Sequence, residues 1–240
     1  MPICLPSFAG VVQPAGGFSN QYSVSFDGTN DYMDLTSAAS LLNSKSIVTI
    51  SFWYYAEGFG IPVGARGPGS TNQISFFSYD ANNFYFVCRN GSGGNVVSAT
   101  NPSLNQWVHC VGVKNGTSGT LYLTPNSTGV TDKQTATVTA TLSATVGNYF
   151  NVAKDSALNQ YFDGKVDELA VWNSALSDAD VATLYNGGSP NDISSFNPVG
   201  WWRMGDNDGG TGTTITNQGS VSSIDGTLTN GPTFSSNVPS

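Results

Sequence analysis

Acidic side chains are the residues of this 240-residue chain best able to do chemistry. The chain contains fourteen Asp but only two Glu, Glu57 and Glu168. Hydrolysis of a glycosidic bond with retention needs two carboxyl groups about 5 Å apart. Asp167 and Glu168 are neighbours in an apolar run that predicts a strand, so we expect them on opposite faces of a sheet. The sequence offers no carboxylate pair for that reaction, and we predict a protein that is not an enzyme.

The single histidine, His109, lies in the middle of the apolar run Trp107–Val113. Nucleophilic catalysis would need a serine or cysteine beside it and an acid to orient its ring. No cysteine stands at zinc-binding spacing from His109 either. A histidine within a strand more often makes a structural hydrogen bond. We therefore expect a structural role for His109.

The cysteines allow two interpretations. Cys88 and Cys110 both lie in apolar runs that predict strands, and a disulfide between them is one option. Two buried free thiols are favoured, because unpaired cysteine is among the residues most often buried. Cys4 has no partner in either case.

A carbohydrate site would need exposed aromatic rings to stack on sugar faces, with amides and carboxylates beside them. The candidates for such a site are Tyr55, Phe59, Arg66, Tyr79 and Asn83. Most of the aromatic residues must belong to the core, so the sequence names candidates without assigning a site.

The amino-acid composition indicates which kinds of molecule the protein can bind and where it acts. Charged residues make up only 10% of the chain, against the usual quarter, and the net charge is −8. The eight Lys and Arg are scattered singly, so we expect no nucleic-acid partner. A surface of Ser, Thr, Asn and Gly suits an extracellular protein. Residues 1–17 lack the basic start of a secretory signal, and no apolar stretch is long enough to cross a membrane.

Release of a virion by lysis would reconcile an extracellular surface with the missing export signal. A mature chain whose signal has been removed would reconcile them too. Between these two, the sequence favours localisation on a virion that becomes extracellular after lysis.

The strand that must position the acidic pair is Lys165–Trp172. Its apolar residues fall on both faces, so we expect a central strand that is covered on each side. A regular alternation puts three apolar residues on one face (Val166, Ala170, Trp172) and two on the other (Leu169, Val171).

A short helix follows this strand. Ser177 is a good N-cap, the next turn is acidic, and Gly187-Gly188 supplies a stop. Elsewhere, about a dozen runs of apolar residues separated by turn signals predict strands. The sequence therefore predicts an all-β fold, a two-sheet antiparallel jelly-roll sandwich with one short helix.

Four stretches, in this order, resemble laminin-G-like domains of the concanavalin A-like lectin/glucanase superfamily. They are YSVSFDGTNDYMDL (Tyr22–Leu35), TISFWYYA (Thr49–Ala56), WVHCVGVKNGTSGTLYL (Trp107–Leu123) and FDGKVDELAVWNSALSDADVATLYNGG (Phe162–Gly188). The resemblance implies a concanavalin A-like jelly roll. It implies less about function, because this fold carries lectins, adhesion modules, hydrolases and structural domains. The Glu-x-Asp-x-x-Glu cluster of the superfamily's glucanases is absent.

The same resemblance implies a place for calcium, since laminin-G-like and pentraxin relatives hold Ca²⁺ in loops at the rim of the sandwich. The loop at the similar position is Asn148–Asp155, where Asn148, Asn151 and Asp155 could be ligands. Asp27 and Asp31 are alternatives. Asp and Asn are also ordinary turn formers, so we expect no cofactor and leave calcium as an open alternative.

The ends of the chain complete the predicted organisation. Residues 1–20 contain several Pro and Gly and predict an N-terminal arm, and residues 21–240 predict one laminin-G-like jelly roll. The segment 191–240 contains a piece, WWRMGDNDGG, that resembles what usually precedes the first of the four stretches. About fifty residues could not bury a core alone, so we expect this segment to close the same sandwich.

This C-terminal arrangement is similar to that of small laminin-G-like proteins of tailed phages, particularly marine ones. The resemblance implies a virion surface protein, either a capsid decoration or a fibre-type module. Such a protein would form a homo-oligomer, contact other virion proteins of the capsid or tail, and attach to host-surface glycans without entering a membrane. A secreted or cell-surface lectin, with or without calcium, is the alternative.

Overall fold

A computed structural model describes residues 17–67, 71–78, 80–91, 96–155 and 159–240. Most of the predicted arm, together with Cys4 and Tyr79, lies outside the described residues. In chain order, the strands are β1 (Ser23–Asp27), β2 (Tyr32–Asp34), β3 (Ile47–Ala56), β4 (Gly60–Arg66), β5 (Asn72–Ser78), β6 (Asn83–Asn90), β7 (Val96–Thr100), β8 (Trp107–Asn115), β9 (Ser118–Pro125), β10 (Asp132–Thr137), β11 (Tyr149–Val152), β12 (Lys154–Asp155), β13 (Gln160–Tyr161), β14 (Asp163–Trp172), β15 (Gly200–Trp202), β16 (Thr214–Ile215), β17 (Gly226–Thr229) and β18 (Thr233–Ser235).

These strands form two eight-stranded antiparallel sheets and one small hairpin, so the predicted jelly-roll sandwich is confirmed. The first sheet has the order β10-β9-β8-β3-β14-β1-β18, with β15 also paired to β14. The second sheet has the order β16-β17-β2-β11-β4-β5-β6-β7, and β12 pairs with β13 in the hairpin. The alternation of apolar residues turns one face of each sheet inward, as expected for a two-layer core.

Aromatic rings fill the space between the sheets. Phe52 of the first sheet meets Phe76 of the second edge to face, with ring centroids 5.0 Å apart, and Phe76 stacks on Phe86 at 4.8 Å. Cys88 and Cys110 are both free, buried thiols in this core, which is the favoured of the two interpretations.

The predicted helix is α1 (Asp178–Tyr185), and it packs on the outer face of the first sheet. Its start is a capping box, in which Ser177 accepts from the Asp180 amide and Asp180 accepts from the Ser177 amide. Its end follows from Asn186 and Gly187, whose φ angles of 46° and 68° are left-handed. Val181 and Leu184 are its buried residues. Among the described residues, no helix has the length and apolar character to span a membrane.

Strand β14 is central, as predicted, but its faces differ from the prediction. Val166 lies in the same core cluster as Leu169 and Val171, whereas Ala170 and Trp172 belong to a cluster on the outer face. The pairing with β3 shifts between Asp167 and Ala170, which is a β-bulge. One extra residue reverses the alternation, so the regular pattern assigned Val166 to the wrong face.

The segment 148–155, expected to be a loop, contains strands β11 and β12. Strand β11 inserts between β2 and β4 of the second sheet, with Phe150 and Val152 fully buried. These two apolar residues alternate with polar ones, and burying them outweighs the loop-forming tendency of the asparagines. Asn151 and Asp155, two of the predicted calcium ligands, therefore lie in strands.

The residues after α1 contribute strands to both sheets. Strand β15 pairs with β14, and β18 pairs with β1 through the Val24 and Phe234 positions. Strands β16 and β17 extend the second sheet beyond β2. The edges of both sheets therefore depend on residues from this last part of the chain.

Candidate functional site

A cleft of about 550 Å³ opens at one end of the sandwich. We call it the rim cleft. The β1–β2 turn, the junction of β3 with β4, the end of β5 and strand β13 meet there. The described residues that line it are Gly28, Thr29, Phe59, Gly60, Ser78, Asn159, Gln160 and Tyr161.

The rim cleft combines aromatic rings with neutral polar groups. Phe59 is 39% exposed, whereas the other described phenylalanines are buried or half-buried. Tyr161 is half-buried, and its hydroxyl donates to Asn159 Oδ1 over 3.1 Å. Hydroxyls and amides complete the lining, so the cleft offers one apolar surface and several donors and acceptors. This is the combination that carbohydrate recognition uses.

Two glycines shape the rim cleft. A methyl group on Gly60 would lie 2.8 Å from the Tyr161 carbonyl oxygen, and one on Gly28 would lie 2.8 Å from Asp163 Cβ. Gly28 also has a φ of +70°, a conformation that side chains disfavour. Both positions need glycine because neighbouring segments approach closely there.

A second cluster of functional groups, the acidic cluster, consists of Asp167, Glu168 and Asp206. The expectation that Asp167 and Glu168 point to opposite faces is wrong. Glu168 sits in the β14 bulge with a left-handed φ of 48°, which breaks the alternation. Ligand atoms of the three carboxylates lie within 4.8 Å of one another.

Every carboxylate oxygen of the acidic cluster has a donor inside the protein. Glu168 accepts from Arg203 Nε at 2.9 Å and from Trp201 Nε1 at 2.6 Å. Asp167 accepts from Asn20 Nδ2 at 3.0 Å and from the Glu168 amide at 2.8 Å. Asp206 accepts from Arg203 and from two main-chain amides, those of residues 21 and 22.

Burial dominates the electrostatics of the acidic cluster. It raises the pKa of Glu168 to about 7, although Arg203 opposes the shift. Burial, and then the charge of Glu168, raise the pKa of Asp167 well above its usual value. Burial also raises the pKa of Asp206. All six oxygens have donors within the protein, so the cluster fastens Arg203 and the segment before β1.

His109 makes the structural hydrogen bond that was expected. Its Nε2 lies 2.9 Å from Ser51 Oγ on the neighbouring strand, and its ring packs 4.8 Å from that of Trp53. The side chain is buried, and burial lowers its pKa to about 3. A neutral, enclosed imidazole is a poor general base for an external substrate.

The residues predicted for calcium have separate surroundings. Asn148 is exposed just before β11, whereas Asn151 is buried within that strand. Asp155 is buried with its Oδ2 2.8 Å from Arg66 Nε. Arg66 would compete with a cation for this carboxylate, and calcium binding here stays a prediction.

The alternative calcium ligands lie beside the rim cleft. Asp27 Oδ1 accepts from the amides of Thr29 and Asn30, as in an Asx turn. Asp31 is 6% exposed, and burial, followed by the charge of Asp27, raises its pKa.

Of the aromatic and polar candidates for a glycan site, Phe59 lines the rim cleft. Arg66 is buried against Gln73, and Tyr55 packs on Trp107, with Lys165 over its ring. Asn83 begins strand β6. The other lining residues were missed, because the residues that form the cleft come from segments far apart in the sequence.

The comparisons with known proteins agree on the fold. The protein-family model described as the concanavalin A-like lectin/glucanases superfamily matches residues 27–182. No curated protein matches the sequence.

The solved structures that are similar to the chain include proteins of three kinds. A candidate carbohydrate binding protein from Bacteroides ovatus is 15% identical with a TM-score of 0.62, over 92% of this chain and 62% of its own. The NanB sialidase of Streptococcus pneumoniae is 18% identical with a TM-score of 0.53, over 68% and 27%. The enzymatically active domain of tailspike protein 2 of bacteriophage CBA120 is 12% identical with a TM-score of 0.49, over 80% and 34%.

The chain spans less than two thirds of each of those three structures. At these identities the similarity concerns the fold alone, whereas the family model matches more than half of the chain. Its four sequence stretches, its two sheets and the family match agree: the chain belongs to the concanavalin A-like lectin/glucanase superfamily and has a laminin-G-like domain.

Proposed function

We propose that this protein is a non-enzymatic carbohydrate-binding module that receives a saccharide in the rim cleft. The observation that carries the proposal is Phe59, an exposed ring in a cleft otherwise lined by glycines, hydroxyls, amides and Tyr161. The similarity in fold to the candidate carbohydrate binding protein of Bacteroides ovatus supports it as an analogy.

In this proposal, the Phe59 ring stacks on the apolar face of one sugar ring. The Asn159 amide, oriented by Tyr161, and the hydroxyls of Thr29 and Ser78 then bond the equatorial hydroxyl groups. An aromatic contact of this kind contributes about 0.5–1.5 kcal/mol beyond its buried area. A site with one such ring binds weakly, so several copies would be needed for firm attachment.

The absence of catalysis is part of the proposal. Among the described residues, one group of three acidic side chains lies close together, and this is the acidic cluster. Each of its carboxylate oxygens already accepts a hydrogen bond from a donor within the protein. The buried His109 bonds to Ser51 and is neutral over the physiological range. Neither arrangement supports hydrolysis of a bound glycan.

Phe59→Ala is expected to weaken saccharide binding about tenfold, because the stacking surface is lost. The measurement is a glycan array followed by calorimetry on the strongest binder. Tyr149→Ala is the matched control, since Tyr149 is 46% exposed and lies outside the rim cleft. Equal binding by wild type and Phe59→Ala, on a glycan that both bind, would refute the site.

We further propose that the module acts on a phage virion, as a capsid decoration or a fibre-type module. There it would contact other virion proteins and present the rim cleft to host-surface glycans. Support comes from the sequence, through the 10% charged content and the arrangement of residues 191–240. A secreted or cell-surface lectin is the alternative.

The mass of the purified protein in solution, with and without EDTA, separates these two roles. We expect a homo-oligomer of three or more copies that is insensitive to EDTA, because a virion protein assembles symmetrically. A monomer that loses stability or glycan binding when calcium is removed would contradict the virion role and favour the lectin.

A further inference from the structure

The rim cleft has an unusual distribution of charge. None of its described lining residues carries a charged side chain. Four carboxylates nevertheless lie in the segments that form it or adjoin it, on the β1–β2 turn, beside Phe59 and at the start of β14. They are Asp27, Asp31, Glu57 and Asp163.

Asp163 is the carboxylate whose position against the cleft is best defined. Its Cβ lies 2.8 Å from the position of a methyl group on Gly28, a lining residue. Its Oδ2 lies 3.4 Å from the corresponding position on Gly58, which precedes Phe59. The side chain of Asp163 thus stands between the turn and the aromatic wall.

Two lysines near the cleft only partly balance these carboxylates. Lys165 Nζ lies 2.7 Å from Glu57 Oε1, so this pair is neutral. Lys154 Nζ lies 3.9 Å above the Tyr32 ring and 5.7 Å from the Tyr161 ring. Asp27, Asp31 and Asp163 outnumber this one remaining cation, and the chain as a whole carries −8.

We infer that the rim cleft takes uncharged saccharides and rejects those bearing a carboxylate, such as uronic or sialic acids. This inference rests on the proposed function of the cleft. A carboxylate on the ligand would approach three negative charges, Asp27, Asp31 and Asp163, against the single positive charge of Lys154, and such an excess of like charge disfavours an acidic ligand relative to a neutral one. Uncharged sugars meet only the ring, the hydroxyls and the amides.

The test compares one neutral oligosaccharide with the same oligosaccharide carrying a single uronate or sialic acid. We expect wild type to bind the neutral form at least about tenfold more tightly at about 20 mM salt, and the preference to shrink at about 500 mM salt.

The variant Asp27→Asn/Asp163→Asn removes two of the charges. Asparagine at position 27 keeps the oxygen that accepts from Thr29 and Asn30, so the turn is preserved. The double variant should bind the acidic form at least about fivefold more tightly than wild type does, and its affinity for the neutral form should be unchanged. The control variant Asp192→Asn/Asp225→Asn changes the net charge by the same amount on the C-terminal segment, where Oδ1 of each residue accepts from a main-chain amide. This control should not alter the preference.

The outcomes separate the two proposals. Equal or tighter binding of the acidic form by wild type, with binding of both forms weakened in Phe59→Ala, would overturn the charge selection and leave the proposed function standing. A preference that is the same in the double variant would also overturn it. If wild type bound neither form nor any other glycan, the proposed function itself would fail.

Discussion

Arg203→Met is expected to lower the free energy of unfolding by about 3–5 kcal/mol at about pH 8. Arg203 Nε lies 2.9 Å from Glu168, and its Nη2 lies 3.3 Å from Asp206. Its guanidinium also lies 4.1 Å from the ring centre of Phe18. Removing the cation leaves the Glu168 and Asp206 carboxylates without the charge that balances them. Thermal and urea unfolding measure the effect.

Lys133→Met is the matched control for this experiment. Lys133 lies 2.7 Å from Asp178, but their side chains are 44% and 68% exposed, so its loss should cost under about 1 kcal/mol. The penalty in Arg203→Met should shrink near pH 5, where the buried carboxyl groups can take up protons. A loss below about 1 kcal/mol at pH 8 would contradict a dependence of the acidic cluster on Arg203.

Glu168 and His109 are expected to give stability opposite dependences on pH. Burial raises the pKa of Glu168 to about 7 from a usual value of 4.5. Between these two pH values, the folded state keeps a proton on Glu168 that the unfolded state has released. This contribution makes stability fall as pH rises between about 4.5 and 7. Burial lowers the pKa of His109 to about 3, so at mildly acidic pH the imidazole binds a proton in the unfolded state but not in the folded state. This contribution makes stability fall as pH drops below about 6.5.

Two variants separate these contributions. The difference in Tm between Glu168→Gln and wild type should become more positive from about pH 5 to about pH 8. The difference between His109→Gln and wild type should become more positive in the other direction, from about pH 7 to about pH 5. Each change should amount to about 2 kcal/mol, or about 5 °C. Differences that do not vary with pH would contradict the burial argument for the residue concerned.

Local signals explain what the sequence could predict about the fold. Ser177 and Asp180 form their capping box from residues three positions apart, so the helix start depends on short-range interactions. Strand β14 carries apolar residues on both faces, and this alone places it in the middle of a sheet.

The bulge at Glu168 is a different case, because no local signal marks it. A left-handed glutamate is costly in isolation, and it is held by bonds to Trp201 and Arg203, more than thirty positions later in the chain. The acidic cluster also needs Asp206, whose approach to β14 depends on β15 pairing there. The rim cleft likewise depends on the folded sheets, because only they bring the turn at Gly28 close to Tyr161.

The pairing of β18 with β1 has a consequence for synthesis of the protein. Val24 opposes Phe234, and Ser23 Oγ donates to the Asn237 carbonyl, so one edge of the first sheet joins the beginning of the described chain to its end. Such long-range pairing is slow, because a large loop must close before its contacts stabilise anything. Until residues 233–235 have left the ribosome, β1 can pair with β14 but not with β18. A nascent chain halted before residue 233 would display an unpaired strand edge, which makes premature termination a route to aggregation.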